Sequence, residues 1–103
     1  MWGNHLLTLK IINMVKEFEF SYCLGEVEEI TDMENITVSE GEDVVITLIK
    51  NNKLSIGERT RGTISFDDSE KPIVYKVEYE YCTGLGEDWG DDQWEEVEEE
   101  IQL

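Results

Sequence analysis

Bulky apolar and polar residues alternate most regularly in two places, FEFSYC at 18–23 and KVEYEYC at 76–82. Overlaid, the two pair Phe18 with Val77, Glu19 with Glu78, Phe20 with Tyr79, Ser21 with Glu80, Tyr22 with Tyr81 and Cys23 with Cys82. A period of two is that of a half-buried β-strand. One face of each strand, carrying Phe18, Phe20 and Tyr22 or Val77, Tyr79 and Tyr81, is expected in a core. The other face is expected to hold carboxylates in water.

Around these two strands the pattern predicts further short elements. Leu6 to Ile12 reads as a strand with Leu7, Leu9 and Ile11 on one face, and Met14 to Leu24 as the first of the echoed pair. Ile36-Thr37-Val38 reads as a brief extended piece, and Ser39-Glu40-Gly41-Glu42 as a turn. Asp43 to Lys50, β-branched and apolar almost throughout, reads as a buried strand turning at Asn51-Asn52 into a hairpin with Leu54-Ser55-Ile56. Gly57 and Gly62 bracket a loop before a strand at Thr63–Phe66. Asp67 to Pro72 is a turn leading into Ile73–Cys82, with Pro72 at the edge of that strand. Thr83 to Asp92, with three glycines, is a loop. Over 94–103, Trp94, Val97 and Ile101 stand at helical spacing behind a capping pair, Asp92 and Glu95. Val97, Ile101 and Leu103 also fit one face of a strand on which Glu99 intrudes. The helical reading is preferred, although Glu98 to Glu100 sit badly against a helix dipole.

Six or seven strands and at most one helix make a mainly β (or β-rich α+β) protein. The expected form is a small twisted antiparallel sheet, a sandwich or a barrel of about six strands with a short C-terminal helix. An immunoglobulin-like sandwich fits poorly, because Cys23 precedes the candidate second strand and position 80 is Glu where that fold has its corner tyrosine. Residues 1–103 are read as a single domain, with 83–103 a strongly acidic C-terminal segment.

Charge changes this picture more than composition does. A 40% hydrophobic content is enough for a core, yet 25 acids against 8 bases leave a net charge of −17 and a pI near 4.1. Such self-repulsion opposes the compact state and gives folding no advantage. It is also unevenly spread. Glu26 to Asp43 contains eight acids and no Lys or Arg, and eleven acids follow Lys76 without one base. Four of the bases, Lys50, Lys53, Arg59 and Arg61, gather in one region. Two cysteines make no disulfide framework, and the apolar N-terminal stretch with Lys10 is too short for a bilayer span. A cytoplasmic protein with no membrane association is expected.

Catalysis finds little support. His5 is the one histidine, and no nucleophile–base set or phosphate loop can be assembled, so no enzyme and no cofactor are expected. GEDWGDDQWEE at 86–96 offers oxygen ligands suited to Ca²⁺ but fails EF-hand spacing, and no metal site is assigned.

Outward carboxylates on a sheet repeat at distances comparable with those between phosphates of a nucleic-acid strand. The expected function is therefore that of a non-enzymatic inhibitor that mimics DNA or RNA and occupies a basic, nucleic-acid-binding protein such as a nuclease or defence effector. In size and charge the chain is similar to small phage-encoded proteins of the anti-CRISPR and anti-restriction type, without a shared motif. Expected partner-binding residues are Glu78, Glu80, Glu87, Asp88, Trp89, Asp91, Asp92, Trp94, Glu95 and Glu96, with the tryptophans as aromatic anchors. An immunity or antidote protein for a basic toxin is the alternative, and a Ca²⁺-binding or structural module a further one. Direct nucleic-acid binding is not expected at this charge; an open sheet edge would allow homodimerisation.

Overall fold

The computed structural model describes residues 15–82 and 94–103. Five antiparallel strands form one open sheet: β1 (Val15–Cys23), β2 (Glu26–Glu34), β3 (Arg59–Asp67), β4 (Val74–Cys82) and β5 (Trp94–Gln102), in the order β2-β1-β3-β4-β5. One helix, α1 (Val38–Lys50), lies against β1 and β2. The protein is thus mainly β, with a single sheet in place of a sandwich or barrel. The expected strand at Leu6–Ile12 and the expected loop at Thr83–Asp92 fall outside the described residues.

The echoed stretches are β1 and β4, and the overlay of their sequences coincides with the register of the sheet. They flank β3, and each echoed pair lies opposite one β3 residue. Phe18 and Val77 face Ile64, Glu19 and Glu78 face Thr63, Phe20 and Tyr79 face Gly62, and Cys23 and Cys82 face Arg59. Both strands need the same alternation because both pair with β3 and share its two faces. A whole strand separates the two cysteines, so their Cα atoms stand roughly 10 Å apart, beyond the reach of a disulfide.

On one face Phe18, Phe20, Ile30, Ile64, Phe66, Val77, Tyr79 and Ile101 are buried and meet Val45 and Leu48 of α1. β4 passes close beside Gly62, where an added Cβ would come within 2.3 Å of the Glu78 carbonyl oxygen and 2.4 Å of the Cβ of Tyr79. After α1, Leu54 is buried and the Ser55 N–H donates to Tyr79 Oη at 2.8 Å. That bond fastens the connection to β4. Gly57 passes so close to the Cys82 carbonyl that only a glycine fits, and Glu58 donates its N–H to that same oxygen at 3.0 Å.

Three expectations are corrected. Asp43–Lys50 is not a strand but the larger part of α1, and Ser39–Glu42 is its first turn. Thr37-Val38-Ser39-Glu40 has the form of a capping box, and Thr37 Oγ1 accepts from the Glu40 N–H at 3.2 Å. Gly41, Val45 and Leu48 form the buried stripe at helical spacing, while Lys50 suits the C-terminal end of the dipole. Asn51-Asn52 accordingly closes a helix, with Asn51 Nδ2 donating to the Thr47 carbonyl at 2.7 Å, and no hairpin forms there. Second, 94–102 is strand β5, not a helix. Val97 and Ile101 lie on the core side with Glu99, as the strand alternative has them, and Trp94 lies on the other side. Third, the loop expected between Gly57 and Gly62 is mostly strand, since β3 begins at Arg59 and holds Gly62 within it. Glu26–Glu34, for which no element is predicted, is a strand whose apolar residues, Val27 and Ile30, break strict alternation. Register shifts at two points in its pairing with β1 explain that break.

Candidate functional site: the open face of the sheet

Side chains that point away from α1 and the core form a face with almost no apolar content. Since paired residues in a sheet project to the same side, the register lays out this face in four rows running from β2 to β5. The first is Glu34, Glu17, Ser65, Lys76, Glu100; the second is Thr31, Glu19, Thr63, Glu78, Glu98. The third is Glu29, Ser21, Arg61, Glu80, Glu96, and the fourth is Glu26, Cys23, Arg59, Cys82, Trp94. Rows are about 6.8 Å apart and neighbours within a row about 4.8 Å apart. Small hydroxyl residues (Ser21, Thr63 and Ser65) occupy the middle and carboxylates the flanks. The face therefore has broad shallow hollows of about 740 and 670 Å³, the larger lined by Glu19, Glu29, Glu78, Glu80, Glu96 and Glu98.

Glutamates stand directly opposite one another at Glu78–Glu98 and Glu80–Glu96. Like charges so placed destabilise a sheet, so folding alone does not account for them. Near β2 the crowding increases. Between Glu34 and Thr31 the edge strand has one residue more than β1, with Asp32 at φ +48°, a bulge in left-handed backbone. Glu19 shares a hydrogen bond with Asp32, and that bond together with their mutual repulsion raises the Glu19 carboxyl above its ordinary range.

The sign of this shift fixes its effect on stability. The folded protein holds the Glu19 proton more tightly than the unfolded chain does. The associated stabilisation is complete below the unfolded pKa and is lost as pH rises through the folded value. Replacing Asp32 with Asn removes a charge while keeping a residue that tolerates left-handed backbone. Asp32→Asn is therefore expected to raise the melting temperature at pH 7 and to lose that advantage by about pH 4, as read by thermal melts of both proteins across this range.

One corner departs from the acidic pattern. Arg61 Nε donates to Glu80 Oε1 at 2.6 Å, and its guanidinium lies 4.5 Å over the Trp94 ring, reaching diagonally across β4. Arg59 stands beside it in the fourth row without an ion pair among the described residues. Arg61, Glu80 and Trp94 thus form a fixed, mixed-charge aromatic cluster at the end of an otherwise negative surface.

The residues expected to bind a partner divide into three groups. Glu78, Glu80, Glu96 and Trp94 share the open face. Glu95 is on the opposite side of the sheet, where it accepts the Tyr81 hydroxyl at 2.6 Å; that bond to a carboxylate raises the Tyr81 pKa. Glu87, Asp88, Trp89, Asp91 and Asp92 lie outside the described residues, as does most of the 86–96 stretch considered for Ca²⁺. Sequence reasoning missed Glu17, Glu19, Glu26, Glu29, Glu34, Glu98 and Glu100. The echo carried the signal for Glu19, which it equates with Glu78, and strand parity with Glu96 carried it for Glu98 and Glu100.

Among the described residues no cluster of three or more candidate metal ligands occurs, and no helix is long and apolar enough to cross a membrane. Comparison with protein families, curated proteins and solved structures finds no match to the chain. The functional reading therefore rests on the geometry of this face.

Proposed function

We propose that the protein is a non-enzymatic binding protein whose open sheet face occupies the nucleic-acid site of a basic protein, inhibiting it by mimicry. The supporting observation is the lattice itself: ten glutamates against Lys76, Arg59 and Arg61 in four rows on one side of a hydrogen-bonded sheet. A sheet keeps these charges in place before binding, so little ordering entropy is lost when a cationic groove closes on them. A polynucleotide-binding groove is the surface that pairs with such an array, because it already presents cations at the spacing of phosphates.

A test needs both salt and competition. Proteins from the source cell that elute from heparin are passed over the immobilised protein, and the captured species is titrated between about 50 and 200 mM salt with and without duplex DNA or RNA. A steep fall in affinity with salt, together with displacement by nucleic acid, is expected. Binding indifferent to both removes the proposal.

A second reading, an antidote to one basic toxin, draws on the Arg61–Glu80–Trp94 corner. A generic polyanion has no use for a fixed cation there, whereas recognition of a single partner does. Under that reading Arg61→Ser weakens binding to the toxin while a bound nucleic-acid substrate stays in place.

A further inference from the structure

The two edges of the sheet are built differently. At the β2 edge, register shifts interrupt pairing with β1 at two points, and Asp32 and the following Asn35 both have positive φ. Such irregularity obstructs the approach of another strand. β5 at the other edge pairs with β4 without interruption from Val74–Gln102 to Cys82–Trp94. Among the described residues it pairs with nothing on its outer side. Nine residues of regular backbone therefore present a row of outward N–H and C=O groups.

The side chains decide what that row can accept. Glu96, Glu98 and Glu100 lie toward the open face, and Glu95 and Glu99 lie toward the other. A second copy of β5 in antiparallel pairing sets glutamate against glutamate in registers centred on Val97, Glu98 or Glu99. Cross-strand like charges oppose such pairing, so a second copy is disfavoured at this edge. A strand with lysine or arginine at alternate positions meets the opposite situation, gaining backbone hydrogen bonds and cross-strand ion pairs together.

We infer that the outer edge of β5 is a docking edge for an extended basic segment of the partner, which adds to the sheet as a sixth strand. This rests on the reading of the partner as a basic protein, and it adds a backbone contact that a rigid polyanion lacks. The sixth strand would continue the four rows, its cations next to Glu96, Glu98 and Glu100.

The test uses the full-length protein and a nine-residue, end-blocked peptide of alternating lysine and valine. Its control has the same length and lysine count, with two valines replaced by proline to remove strand pairing. Binding is measured by calorimetry at about 50 mM salt, and amide hydrogen exchange is followed in both complexes. At least about tenfold tighter binding of the valine peptide is expected, with new protection at alternate amides of β5. Equal affinities, or binding without protection in β5, overturn the docking edge while leaving the carboxylate array as the binding surface. If neither peptide binds at that salt, the docking edge and the array reading fail together.

Discussion

Replacing Glu19, Glu78 and Glu96 by lysine is expected to weaken partner binding by about 10³ at low salt while making the protein itself more stable. The three positions lie in the second and third rows of the open face, and none has an ion pair among the described residues. Each reversal at a desolvated electrostatic interface costs on the order of tenfold in affinity at low ionic strength. Within the free protein the same changes remove repulsion. The lysine introduced at position 78 would face Glu98, the one at position 96 would face Glu80, and the one at position 19 would stand beside Asp32. The three reversals add six charges, taking the net charge from −17 to −11. Affinity measured over a salt series and a melting curve of the same variant should therefore move in opposite directions. Glu95→Lys, on the other side of the sheet, serves as the control and is expected to change affinity by no more than about threefold. A triple variant that binds as tightly as the unmodified protein would falsify the assignment of this face.

The largest effect on folding is expected from Phe18→Ala. Phe18 has no solvent exposure and belongs to the core cluster with Val45 and Leu48 of α1 and with Ile64 of β3. It is thus a contact between helix and sheet. Truncating a buried phenylalanine costs about 3–5 kcal/mol, a large share of the roughly 5–15 kcal/mol typical of a domain. Here the margin is narrowed further by the charge on the opposite face. A fall in melting temperature of roughly 15–30 °C, or loss of a cooperative transition by circular dichroism, is the expected outcome. A change of only a few degrees would show that α1 contributes little to the core.

How much of this is readable in the sequence depends on which interaction decides each element. β1 and β4 are legible because pairing with a common neighbour imposes one pattern on both, and that pattern survives in the side chains. Their inward aromatics and outward acids follow the alternation, since Phe18, Phe20, Val77 and Tyr79 are buried while Glu19 and Glu78 are exposed. α1 is hidden because β-branched Val44, Val45, Ile46 and Ile49 favour extended backbone by propensity, whereas a cap at Thr37 and one apolar stripe decide the outcome. In β5, three apolar residues satisfy a helical spacing by coincidence. What selects the strand is hydrogen bonding to β4, a partner invisible in any local window. β2 is illegible because its bulges shift the parity on which a reading by alternation depends. The site is legible in kind and only partly in place. Acidic blocks are evident from composition, but which acids share a surface follows from the register.

The shared register of β1 and β4 also bears on how the chain finds its fold. Either strand offers β3 the same succession of aromatic and polar side chains, so the two sides of β3 are nearly equivalent receptors and local pairing barely distinguishes the native strand order from its mirror. What separates them is the cargo each strand brings. β1 arrives joined to β2 and, through it, to the helix that seals Phe18, whereas β4 arrives with a glutamate-laden edge. The native arrangement is therefore favoured by the packing of α1 on β1 and β2, since pairing along the sheet hardly tells the two sides of β3 apart.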